Sequence, residues 1–146
     1  MVLNQDFKEF VQSLNDNDVR YLIVGGYAVA FHGHPRYTKD LDIWVQLDRE
    51  NAANLVKALA QFGFASLGLR VEDFLEPDTV VQLGYPPNRI DLIIGLEGLD
   101  FESCYAAKVT VHIDGVAMNF IDLENLKVSK RLAGRLQDLA DLENLE

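Results

Sequence analysis

Apolar residues recur at helical spacing in four stretches of the chain. In the first stretch, four apolar residues from Phe7 to Leu14 fall on one face, as expected of a helix that packs on a core. A later stretch begins after Asp48, a suitable N-cap, and stops near Gly63. The predicted helices cover residues 6–17, 27–32, 48–63 and 123–145, the last one bent at Gly134.

Shorter apolar runs between these stretches predict β-strands. The clearest signal is a hairpin over residues 109–120, in which apolar positions alternate on both sides of Asp114-Gly115. The predicted strands cover residues 21–24, 40–46, 80–83, 90–94, 109–113 and 116–120. Helices and strands interleave without a repeat or a linker, so we expect a single α+β or mixed α/β domain over residues 1–146. Its predicted plan is a mixed β-sheet flanked by helices, with a pair of helices at the C-terminus.

Composition narrows the classes of function. The formal net charge is −10, from 23 acidic and 13 basic residues, which argues against a broad surface that follows nucleic-acid phosphates. A bound NTP remains compatible, because metal ions and a few basic side chains can neutralise it locally. The one cysteine, Cys104, excludes an internal disulfide. No apolar run is long enough for a membrane span and no secretory signal is present, so we expect a cytoplasmic protein.

The main chemical signal is the pair Asp40 and Asp42 in a predicted strand. Alternation along a strand would place both carboxylates on one face, with Leu41 and Ile43 towards the core. Neighbouring carboxylates repel each other unless a cation lies between them. Mg²⁺ prefers oxygen ligands of this kind, although a lone Asp-x-Asp is more often structural or solvated.

A third carboxylate, Asp91, interrupts an otherwise apolar run. Ile90, Leu92 and Ile94 would face the core, which leaves Asp91 on the opposite face. An isolated acid in such a strand needs solvent, a partner or a metal. If this strand lies beside that of Asp40 and Asp42, the three carboxylates converge and can hold two metal ions for displacement at phosphorus.

The order of these motifs resembles the signature of the nucleotidyltransferase superfamily, in particular the bacterial branch of AbiEii- and MenA-type toxins and minimal nucleotidyltransferases. The segment after the first strand reads VGGYAVAFHGHPRYTKDLD, and the last helical stretch contains KRLAGRLQDLAD. The matched positions are Gly25, Gly26, Arg36, Thr38, Asp40, Asp42, Asp91, Lys130, Arg135, Asp138 and Asp141. The resemblance implies the polymerase-β-like fold.

It also implies nucleotide-binding residues outside the three acids. Gly25 and Gly26 would let the backbone approach a triphosphate, although a plain tight turn explains them equally well. Arg36 would neutralise phosphate or form a surface ion pair, and Thr38 would bind a phosphate or hold its turn. Lys130 is the best basic candidate for the triphosphate.

Arg135 is the remaining nucleotide-binding candidate. Asp138 lies three residues after it on a predicted helix, so an intrahelical ion pair is the competing interpretation. A structural role is favoured for Asp138, and both roles stay open for Arg135.

The activity implied is transfer of an NMP from an NTP to a hydroxyl acceptor. Asp40, Asp42 and Asp91 would be the catalytic and metal-binding residues, holding two Mg²⁺ ions, with Mn²⁺ as a substitute. Asp91 would also assist deprotonation of the acceptor, which is a tRNA, a protein or a small molecule. A role as the toxin of a toxin–antitoxin pair implies an antitoxin-like partner, and a homo-oligomer is the alternative. A catalytically silent nucleotide-binding or regulatory module and a pure interaction domain are the competing hypotheses.

Overall fold

A computed structural model describes residues 3–33, 38–84 and 89–146, which form a mixed six-stranded sheet with helices packed on it. The strands are β1 (Tyr21–Val24), β2 (Leu41–Val45), β3 (Val80–Leu83), β4 (Ile90–Ile93), β5 (Val109–Ile113) and β6 (Val116–Phe120). They are ordered β3-β4-β2-β1-β6-β5 across the sheet. The α+β class and the mixed sheet are as predicted.

The two central strands have neighbours of both orientations. β2 runs antiparallel to β1 and parallel to β4, whereas β1 is also parallel to β6. β3 and β5 are the outer strands, each antiparallel to its neighbour. The ends of β1 and β3 therefore meet the beginnings of β2 and β4 at one edge of the sheet.

Six α-helices accompany the sheet in the described part of the chain. They are α1 (Gln5–Asp16), α2 (Gly25–Phe31), α3 (Arg49–Leu59), α4 (Phe101–Ala106), α5 (Leu123–Ala133) and α6 (Leu136–Leu145). Asp48 caps α3 by accepting a hydrogen bond from the Asn51 amide, as predicted. Gly134 separates α5 from α6 in the left-handed conformation, with a φ of 66°. None of the described helices is long and apolar enough to cross a bilayer.

The core is formed by the apolar faces that the sequence pattern indicates. Phe7, Phe10 and Leu14 of α1 are fully buried, and Leu41 and Ile43 of β2 lie in the same cluster. Burial of this apolar surface is the main favourable contribution to folding. Asp42, on the alternate face of β2, is left at the edge of the core, where it is only partly buried.

Four elements differ from the prediction. Helix α3 ends at Leu59, before the predicted stop near Gly63. Helix α2 begins at Gly25 rather than at residue 27, so Gly25 and Gly26 form its first turn instead of a separate turn. Strand β2 begins at Leu41, which leaves Asp40 in the preceding loop. Helix α4 was missed because its six residues are too few to show a helical period.

Candidate active site

The register of two parallel strands brings the sequence-predicted acids together. Asp42 of β2 is paired with Asp91 of β4, and on its other side it is paired with Val24 of β1. Asp91 is buried, with 8% of its surface exposed. Asp40 joins the pair through Arg89, whose Nη2 donates to Asp40 Oδ2 at 2.7 Å. The three carboxylates therefore lie at one edge of the sheet.

Gly25 makes space for the Asp42 carboxylate. Its φ is +64°, in the left-handed region that favours glycine, at the junction between β1 and α2. A Cβ at this position would overlap the Asp42 carboxylate, approaching Cγ to 2.9 Å. A side chain on residue 25 would therefore push Asp42 away from its present position.

Crowding changes the ionisation of Asp42. Burial, followed by the negative charges of Asp91 and Asp40, raises the pKa of Asp42 to about 7. The positive charge of Lys130 acts in the opposite direction. The pKa of Asp42 is therefore raised first by removal of its carboxylate from water and second by the two neighbouring acids.

Arg89 links two of the acids and was missed as a site residue by sequence reasoning. Its Nε donates to Asp91 Oδ1 at 3.0 Å, and its Nη2 donates to Asp91 Oδ2 at 3.2 Å and to Asp40 Oδ2 at 2.7 Å. Hydrogen bonding to Asp91 raises the pKa of the Arg89 guanidinium. Its position two residues before Asp91 was the available signal, because residues i and i+2 of an extended chain lie on one face.

Lys130 enters the site from α5 with its charge already paired. Its ammonium group lies 3.0 Å from Asp141 and 3.3 Å from Asp138, and both aspartates are only 1% exposed. Arg135, the residue just before α6, pairs with Asp138 at 2.6 Å, which is the ion pair that the spacing gave as the competing interpretation. The guanidinium of Arg135 is largely exposed, so it can meet a ligand without leaving Asp138 unpaired.

These groups line one cleft of about 370 Å³. The lining is part charged and part apolar, and Val80, Ile93 and Leu96 are among its apolar residues. A volume of this size lies within the range of roughly 300–1,000 Å³ that is usual for small-molecule sites. The charged lining residues are Asp40, Asp42, Arg89, Asp91, Lys130, Arg135 and Asp138.

The remaining candidates lie elsewhere or cannot be placed. Arg36 falls outside the described residues. Gly26 is buried in the first turn of α2, and Gly25 is the member of the pair that lines the cleft. Thr38 does not line this cleft; its carbonyl accepts a hydrogen bond from the Tyr27 hydroxyl, and its buried Oγ1 has no partner among the described residues. The Thr38 hydroxyl therefore makes no hydrogen bond to any of the three acids.

The three carboxylates are suitable ligands for a divalent cation, but their side chains are not arranged around a common ion position in this structure. Carboxylate oxygens are the ligands that Mg²⁺ prefers, and Gly25 leaves space beside Asp42. However, no group of three or more His, Cys, Asp or Glu side chains within residues 3–33, 38–84 and 89–146 is arranged to hold a metal ion. The Arg89 guanidinium bridges Asp40 and Asp91, which is the place that an ion shared by these two carboxylates would take.

Comparison with known proteins agrees with this geometry. The family model of the aminoglycoside-2″-adenylyltransferases matches residues 6–81, just over half of the chain. The fold is similar to that of a proposed nucleotidyltransferase from Thermotoga maritima, with a TM-score of 0.62 and 15% identity over 94% of this chain and 88% of the other. It is also similar to an antigenic nucleotidyltransferase-like protein from Paracoccidioides brasiliensis, with a TM-score of 0.56 and 19% identity over 98% of this chain and 77% of the other. No curated protein sequence matches the chain significantly.

Proposed function

Because this chain belongs to the aminoglycoside-2″-adenylyltransferase family, we propose that it transfers a nucleoside monophosphate from an NTP to a hydroxyl acceptor in a reaction that depends on Mg²⁺. Nucleotidyl transfer follows from the family. The metal, the donor and the type of acceptor are the proposed parts, and the observations below support them.

The observation that carries the proposal is that three acids and two basic side chains from separate parts of the chain line one cleft. Asp42 and Asp91 are directly paired at one end, with Asp40 beside them. Lys130 and Arg135 provide positive charge from the α5–α6 side of the same cleft. An NTP with its divalent cation carries the complementary pattern, with positive charge at the metal and negative charge along the phosphates.

Each side chain then has a defined task in the reaction. The acceptor oxygen forms a new bond to the α-phosphorus while the bond from that phosphorus to the bridging oxygen of the β-phosphate breaks, and pyrophosphate leaves. Asp91 accepts the proton of the acceptor hydroxyl. Lys130 and Arg135 hold the negative charge of the leaving pyrophosphate. Mg²⁺, held by Asp40, Asp42 and Asp91, would supply charge neutralisation at the reacting phosphate.

A small cationic molecule is the acceptor that best suits this chain among the tRNA, protein and small-molecule classes. The family name specifies an aminoglycoside. A net charge of −10 attracts a polycation and repels a nucleic acid. Pairing with an antitoxin-like protein remains a prediction from the sequence resemblance.

A nucleotide-binding module without turnover is the alternative, and it predicts a different result in the same assay. The protein is incubated with Mg²⁺, an NTP labelled at the α-phosphate, and an aminoglycoside or tRNA. We expect pyrophosphate release together with a labelled aminoglycoside. Binding of the NTP without either product would support the module instead.

Two aspartate variants identify the source of the activity. Asp91→Asn removes the proposed base, and we expect at least about a hundredfold lower turnover. Asp114→Asn is the matched control, because Asp114 lies in the distant hairpin turn and asparagine tolerates its φ of 51°. Wild-type turnover in Asp91→Asn would refute the mechanism.

A further inference from the structure

Arg89 occupies the space between two of the proposed metal ligands. It is held by three hydrogen bonds, two to the separate oxygens of Asp91 and one to Asp40. The two-point contact with Asp91 is the strong form of an arginine–carboxylate pair. Asp40 and Asp91 come from different segments of the chain, so the guanidinium performs the bridging that a cation would perform.

A divalent cation and this guanidinium would compete for the same oxygens. Asp91 uses both of its oxygens on Arg89, and Asp40 uses Oδ2. A metal ion bound to these oxygens would lie beside the positive guanidinium, so metal binding weakens the ion pairs with Arg89 and favours its displacement. The binding free energy of the metal is reduced by the amount needed to displace Arg89.

The cleft also offers Arg89 an alternative position once it leaves Asp91. Its side chain is 29% exposed and lines the same cleft as Lys130 and Arg135. Guanidinium groups bind phosphate oxygens by the same two-point geometry that they use for carboxylates. A triphosphate in the cleft would therefore offer Arg89 a new partner when it leaves Asp91.

From these contacts we infer that Arg89 is a built-in counter-ion that divalent metal must displace, so the site binds metal weakly alone and tightly together with a nucleotide. This inference rests on the proposed function, because it concerns the same metal and the same NTP. It assigns Arg89 a positioning role: Arg89 holds the carboxylates of Asp40 and Asp91 together before substrate arrives and then moves to the phosphates.

The test is direct binding of Mn²⁺, the spectroscopic substitute for Mg²⁺, to the protein without nucleotide. Free Mn²⁺ is measured by its paramagnetic resonance signal. Arg89→Gln removes the competing charge, and we expect at least about tenfold tighter Mn²⁺ binding than in the wild type. This factor corresponds to the loss of one hydrogen bond between charged groups. Arg89→Lys keeps one charge without the two-point geometry and should bind Mn²⁺ with intermediate affinity.

Arg135→Gln separates competition from a general effect of charge. Arg135 lines the same cleft but pairs with Asp138, which is not a proposed metal ligand. We expect its loss to tighten Mn²⁺ binding by only about twofold, the size of one screened surface charge. Equal tightening in Arg135→Gln and Arg89→Gln would overturn the inference.

Thermal unfolding provides a second measurement that does not depend on turnover. Arg89→Gln leaves three crowded acids without this partner, so we expect a lower Tm without metal and a larger increase with Mg²⁺ than in the wild type. If Arg89→Gln does not fold, the comparison between Arg89→Lys and the wild type decides the same question.

The outcomes also separate the two proposals. If the wild type binds Mn²⁺ and neither Arg89 variant binds it more tightly, the role of Arg89 is refuted and the proposed function stands. If no variant binds more Mn²⁺ than the nucleotide binds in a control without protein, the metal-dependent function fails and the inference fails with it.

Discussion

Replacing Gly25 with alanine tests whether the start of α2 holds Asp42 in place. Two costs follow from the structure. An alanine must adopt the φ of +64° that Gly25 has, and its methyl group must fit where the Asp42 carboxylate now lies. The first cost concerns the backbone alone, whereas the second depends on Asp42.

The two costs are of similar size. A left-handed conformation costs a non-glycine residue about 1–2 kcal/mol. Displacing a packed neighbour costs about 1–3 kcal/mol more. We therefore expect the Gly25→Ala variant to lose about 2–5 kcal/mol of its free energy of unfolding, or about 10 °C in Tm for a chain of this length.

Gly68 provides a matched control for the backbone cost. Its φ is +65°, and apart from its chain neighbours no heavy atom of the described residues lies within 4 Å of a Cβ built there. Gly68→Ala should therefore lose only about 1–2 kcal/mol. Urea unfolding of both variants gives the difference that belongs to the contact with Asp42. In an Asp42→Ala background, most of this difference should disappear. Equal losses in Gly25→Ala and Gly68→Ala would refute the reasoning.

Two further predictions concern the buried charges beneath the cleft. Lys130→Met leaves Asp138 and Asp141 buried without their lysine, and we expect urea unfolding to show a loss of about 3 kcal/mol in the free energy of unfolding. The control is Lys127→Met, whose partner Glu124 is exposed and lies 3.8 Å away, and we expect it to lose about 0.5 kcal/mol. Equal losses would show that the lysine pairing contributes little. Burial alone would raise the pKa of Asp138, but hydrogen bonding from Arg135 and the charge of Lys130 lower it overall. The stability that ionised Asp138 contributes is therefore present above about pH 4, the unfolded value, and is lost as the pH falls through the folded pKa. The stability difference between the wild type and Asp138→Asn should shrink in acid unfolding titrations, and a constant difference from pH 7 to pH 3 would contradict this assignment.

Local sequence rules were sufficient for most of the fold. The Asp114–Gly115 hairpin forms as predicted, because both turn residues have the positive φ that a type I′ turn requires. Gly134 ends α5 in the same way that the sequence indicates. The predicted start of α2, at residue 27, was wrong because a Gly-Gly pair usually indicates a turn. Here tertiary contact overrides that preference, since the glycine at position 25 is needed beside Asp42.

The site shows the limit of such rules more clearly. Alternation along β2 and β4 placed Asp42 and Asp91 on the correct faces, and only the pairing of the strands could show that they are neighbours. The roles of all the site residues remain predictions. Lys130 was identified as a basic group facing phosphate, but its pairing with Asp138 and Asp141 depends on the angle between α5 and α6, which no spacing along the chain encodes. Arg89 was missed because its second partner, Asp40, is distant in sequence.

The pairing of Asp42 with Asp91 also makes the arrangement of the cleft depend on correct strand register during folding. A slip of β4 by one residue would place Ile90 or Leu92 beside Asp42 and would turn Asp91 into the apolar interior. Such a misfolded chain would be destabilised in two ways, by a charge in the hydrophobic interior and by isoleucine or leucine exposed on the solvent-facing side of the sheet. Mutations that loosen β4 should therefore reduce activity by producing fewer correctly registered molecules, even when they lie far from the cleft.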